Sequence, residues 1–119
     1  MKTYATLQKR GINAAKKFLE RKGYEILDDS PKQDAFDLVA IQDGTLSMIT
    51  VATRYAEEVG FPKDDLQRDV LEIATASWLS DHADDIPDDV RVSFDSMAIL
   101  VLSESKAFLR FHTNVLGAE

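Results

Sequence analysis

Apolar residues recur every three and four positions across residues 3–22: Tyr4, Leu7, Gly11, Ala14, Ala15, Phe18 and Leu19. That spacing lines one face of an α-helix. Thr3 suits its N-cap, and Gly23 suits a left-handed position just past the last turn. Gly11 falls inside the apolar stripe. A glycine there costs about 1 kcal/mol of helix propensity relative to alanine, so its placement predicts a close approach by another backbone.

The period then shortens. Residues 24–27 read as a brief strand, and Ser30-Pro31 marks a turn. Residues 36–41 read as the next strand. Asp43-Gly44 is a favoured hairpin turn, so residues 46–53 are expected to return antiparallel. Gly60-Phe61-Pro62 marks a loop. Asp64 or Asp65 can cap a second helix running to about Ser80, with Leu66, Val70, Ile73, Ala74 and Trp78 inward. An acidic connection leads to a strand over 92–102, a turn over 103–106 and a last strand over 108–112. The order α-β-β-β-α-β-β predicts an α/β fold in one domain covering residues 1–119, with a mixed sheet of about five strands flanked by helices.

Composition narrows the function classes. A chain of 119 residues that is 45% hydrophobic can bury a core. It has no cysteine, which excludes disulfides and thiolate metal sites. No apolar run approaches the roughly 20 residues a membrane span needs. The reading is a soluble cytoplasmic protein. Net charge is −7, all of it from residues 60–119, which carry five Lys/Arg against twelve Asp/Glu. Such acidity argues against strong non-specific DNA binding. A local basic face remains in Lys9, Arg10, Lys16, Lys17, Arg21 and Lys22.

One acid stands out. Asp37 sits in the apolar stretch AFDLVAI, beside the strand SMITVATRY. A lone aspartate in a strand is commonly a satisfied surface or edge residue; a metal ligand is the sharper reading. His82 and His112 show no ligand spacing, and Asp81, Asp84, Asp85, Asp88 and Asp89 lack the glycine of a calcium loop. Solvated or hydrogen-bonded side chains are expected at all of them.

Several segments together resemble the YraN family of restriction-endonuclease-like proteins. RGINAAKKFLERKGYEIL is similar to that family's first helix. AFDLVAIQDG resembles its Gly-Glu-Ile-Asp-Leu-Ile strand and ITVATR its Val-Glu-Val-Lys-Thr-Arg strand. Gly60, LEIATASWL and VSFDSMAILV continue the likeness, which covers roughly residues 7–102. The resemblance implies a three-layer nuclease core. In active members an aspartate and a glutamate on adjoining strands hold Mg²⁺, a hard cation that needs carboxylate oxygens. A lysine two residues past the glutamate helps activate water. Residues two apart on a strand share a face, which explains that spacing.

Carried over by position, the resemblance puts Asp37 at the metal aspartate, Thr50 at the glutamate and Ala52 at the lysine. Ala35 stands for the glutamate two residues before Asp37, and Ile12 for the glutamate after the helix glycine. It implies a catalytically inactive nuclease fold that binds a nucleic acid or a nucleic-acid-processing partner, without a cofactor. Arg54, Lys9 and Arg10 are the candidate nucleic-acid contacts, and Asp37 a vestigial metal position. A second reading is a working Mg²⁺-dependent endonuclease whose acids have moved to Glu57 or Glu58. A third is a protein-interaction module, such as a homodimer, which the acidity suits.

Overall fold

The computed structural model describes residues 4–55 and 67–116. The cap at Thr3, the loop at Gly60-Phe61-Pro62, the caps Asp64 and Asp65, the inward Leu66 and the acids Glu57 and Glu58 lie outside these residues.

Helix α1 spans Tyr4–Arg21. It closes where the Gly23 N–H donates to Glu20 O at 3.1 Å and the Tyr24 N–H to Leu19 O at 3.0 Å. Gly23 has φ +91°, a left-handed conformation that glycine adopts without a steric penalty. The chain then enters β1, Glu25–Asp28, followed by β2, Leu38–Gln42, and β3, Thr45–Tyr55. Asp43 and Gly44, with φ of 51° and 76°, make the two-residue turn that sets Gln42 opposite Thr45. Helix α2, Arg68–Asp81, a short 3₁₀ turn, Ala83–Asp85, and the strands β4, Arg91–Val101, and β5, Ala107–His112, complete the described chain.

The five strands form one mixed sheet in the order β1-β2-β3-β4-β5. Among the described strands only the β3–β4 pair is parallel, running from Thr45↔Arg91 to Tyr55↔Val101. A parallel pair needs a crossover, and α2 lies in that connection. The fold is α/β, and among the described residues two helices flank the sheet.

Alternation along the strands builds a core on each face. On one face Leu7, Ala15 and Leu19 of α1 cover Leu38, Ile49, Val51, Met97 and Ile99. On the other Leu71, Ala74 and Trp78 of α2 cover Phe36, Val39, Leu46 and Met48. An aromatic trio edges the first core: Phe18 and Tyr24 meet Phe111 edge-to-face at 5.8 and 6.1 Å. Burial and the charge of nearby Asp95 raise the Tyr24 hydroxyl pKa. Asp95 is fully buried and accepts from Ser93 Oγ at 2.5 Å and from the Asn114 N–H at 2.8 Å, which ties the chain after β5 back to β4.

Two packing expectations change. The close neighbour of Gly11 is a side chain rather than a backbone: a Cβ there would lie 1.9 Å from Thr53 Oγ1. The buried stripe of α2 is Leu71, Ala74, Thr75 and Trp78, while Val70 is 47% exposed and Ile73 73%. Trp78 fixes this phase, because its indole N–H donates to Asp28 Oδ2 at 2.8 Å while the ring fills the core. No helix among the described residues is long and apolar enough to cross a membrane.

Candidate functional site

Asp37 precedes β2, whose first residue is Leu38. Leu38 pairs with Ile49, and the Asp37 N–H also donates to Ile49 O at 2.8 Å. Two residues therefore face one, as in a β-bulge. The alternation slips accordingly: Phe36 enters the α2-side core and Leu38 the α1-side core, although they are two positions apart. Asp37 is left half-buried at the point where β2 ends and β3 continues.

Its carboxylate completes the ladder that β2 no longer supplies. Asp37 Oδ2 accepts from the Val51 N–H at 2.7 Å. Gln8 Nε2 of α1 lies 3.5 Å from Asp37 Oδ1 and 3.4 Å from Val51 O. Both peptide groups of Val51 thus meet side chains in place of a strand, as buried backbone requires. Burial raises the Asp37 carboxyl pKa, and the Val51 N–H and the Gln8 amide hold that rise back.

The other positions are placed apart. Thr50 and Ala52 alternate with Ile49 and Val51, so they share the α2-side face with Met48, while Asp37 reaches Gln8 on the α1 side. Thr50 Oγ1 is buried with no hydrogen-bond partner. Ala35 packs on the α2-side core and Ile12 on the α1-side core. Arg54 is half-buried opposite Leu100, on the face of Thr50 and Ala52. Among the described residues no group of three His, Cys, Asp or Glu side chains could hold a metal ion. One engaged carboxylate and one threonine on different sides of a strand do not fit Mg²⁺, which needs several oxygens in octahedral geometry.

Lys9 and Arg10 do come together with other cations. They join Lys17 of α1 and Lys106 of the β4–β5 turn around a cleft of about 450 Å³, with Asn13, Ser105 and one acid, Glu104. Arg10 donates through Nη2 to Ser103 O, which fastens the turn to the helix. The turn itself closes through the Leu102 and Ser103 N–H groups on Lys106 O, at 2.9 and 3.1 Å. The remaining basic residues of α1 are partly engaged. Lys16 pairs with Asp29 at 2.7 Å, and Lys22 lies 5.6 Å from the Phe18 ring centre.

Sequence reasoning missed Gln8 and Lys106. Gln8 sits one helical turn before Ile12, a position the resemblance had singled out, so the i,i+4 rule could have found it. Lys106 is distant in sequence from α1, and no local signal joins them. His82 stacks on Trp78, with ring centres 4.0 Å apart, and its Nδ1 lies 2.8 Å from Trp78 O. His112 and the acids Asp81, Asp84, Asp85, Asp88 and Asp89 are exposed. In comparisons with known proteins, no family model and no curated relative matches this chain.

Proposed function

We propose that this chain is a restriction-endonuclease-like domain, similar to the YraN family, that binds a nucleic acid without cutting it. The observation that carries the reading is the cation-lined cleft. In a protein of net charge −7, Lys9, Arg10, Lys17 and Lys106 converge from two elements on one cleft. Cations gathered against the overall charge suit a polyanion, because each can replace a counterion on a phosphate. Arg10 anchors the turn, and the three lysines reach backbone oxygens without reading bases. The element order and mixed sheet support the nuclease-like fold. The use of Asp37 as a ladder cap supports the loss of cleavage. A gel shift with labelled duplex and single-stranded DNA tests the proposal. Lys9→Glu with Lys106→Glu, both at exposed positions, is expected to weaken binding by about ten-fold or more. Equal binding by the variant would remove the cleft from the function.

A further inference from the structure

The face of the molecule opposite α1 carries a second surface with different chemistry. Val70, Ile73, Ala74 and Ser77 recur at i, i+3, i+4 and i+7 on α2 and, with Ala35 alongside, line a groove of about 530 Å³. Ile73 is 73% exposed and Val70 47%. Two large aliphatic side chains side by side on a helix, beside a shallow floor of alanine and serine, are what a packing partner uses. Small residues let a second helix approach to about 8–10 Å between axes.

The charge around the groove selects the partner. Asp34 lines it, Asp81 continues the stripe one turn beyond Ser77, and Asp69 stands one turn before Ile73; all three are exposed. Arg68 falls on the far side of the helix, where it donates to Leu116 O at 2.6 Å and lies 3.9 Å from Glu72. The helix and the turn after it continue acidic, with seven Asp/Glu and one Arg in residues 68–89. The exposed Lys32 shares an adjoining cleft with Asp81, which among the described residues leaves Asp34 and Asp69 as the acids without a lysine beside them in a cleft. A second copy presenting the same patch would bring acid against acid. A helix with an apolar face flanked by Lys or Arg would meet the aliphatic residues and the carboxylates together.

We infer that the groove on α2 receives a cationic amphipathic helix of another protein. Ile73 and Val70 pack between its apolar residues, and Asp34, Asp69 and Asp81 face its basic flanks. This inference does not rest on the nucleic-acid reading, because the cleft lies on the α1 side of the sheet.

The test uses the full chain and a fluorescein-labelled synthetic helical peptide of about five turns, with leucines at i, i+3, i+4 and i+7 and lysines on both flanks. Controls replace its lysines with glutamates, or its leucines with serines. Fluorescence anisotropy is expected to show saturable binding of the lysine peptide only. Ile73→Asp, at an exposed site, and Asp69→Lys with Asp81→Lys should each weaken it about ten-fold or more. Lys9→Glu with Lys106→Glu should leave it unchanged. Absence of saturable binding, equal binding of the glutamate peptide, or indifference to Ile73→Asp would overturn the inference. So would sedimentation showing a dimer of the chain that Ile73→Asp dissociates, since the groove would then belong to a second copy.

Discussion

Asp37 illustrates how one carboxylate can hold a fold together where a metal site is expected. Its Oδ2 takes the Val51 N–H that β2 leaves without a partner. Asp37→Ala strands that N–H and is expected to cost about 1–3 kcal/mol of stability, read by chemical denaturation. Asp37→Asn keeps a carbonyl oxygen for the Val51 N–H, so the loss should be smaller, although turning the Gln8 amide to meet the new side chain gives up its contact with Val51 O. The two proteins should also differ with pH. Burial raises the Asp37 carboxyl above its ordinary 3.8 in the folded state, so the native chain binds that proton more tightly than the unfolded chain. Its contribution is full below 3.8 and declines as pH rises through the raised value. The wild-type chain should therefore lose stability relative to Asp37→Asn across that interval; parallel pH profiles would contradict it. Incubation of duplex, branched and single-stranded DNA with Mg²⁺ or Mn²⁺ should give no cleavage. Cutting that disappears in Asp37→Ala would show that the carboxylate is catalytic after all. Thr50 gives a complementary test. Its buried hydroxyl has no partner, so the isosteric Thr50→Val should leave stability unchanged or raise it by up to about 1 kcal/mol.

At the scale of elements, α1 docks on β3 where Gly11 meets Thr53. Gly11→Ala improves helix propensity by about 1 kcal/mol but drives a Cβ into a β-branched side chain with little freedom to rotate. A net destabilisation of about 1–2 kcal/mol is expected. Thr53→Ala should relieve most of it in the double variant, and additive losses in that thermodynamic cycle would show that the two sites do not touch. The elements themselves were legible because their signals are local. Gly23 and Asp43-Gly44 took the left-handed conformations their sequence positions required. The phase of α2 was not legible. Two neighbouring stripes share Ala74 and Trp78, one with Val70 and Ile73 and the other with Leu71 and Thr75, and periodicity alone does not choose between them. The contact of Trp78 with Asp28, fifty positions away, made the choice. The slip at Asp37 was hidden for a similar reason. A bulge is set by pairing with another strand, and the alternation of residues 36–41 reads smoothly without it.

Across the whole molecule the charges separate by layer. Residues 4–21 hold five Lys/Arg and one acid, whereas residues 68–89 hold seven acids and one Arg. The sheet lies between them, with α1 packed on one face and α2 on the other. A net charge of −7 conceals this division. From sequence the basic stretch and the acidic stretch were both visible, but only the topology assigns them to opposite sides. On the proposed reading the basic face would meet a polyanion and the acidic face would repel it, which would orient the encounter. The most direct measurement is the salt dependence of DNA binding by the full chain. Logarithmic affinity for a labelled duplex should fall linearly with the logarithm of salt concentration. The three lysines free to meet phosphates at the cleft set a limiting slope of about −2.7, and Lys9→Glu with Lys106→Glu should flatten it. No binding at low salt, or a slope the double variant leaves unchanged, would contradict the account.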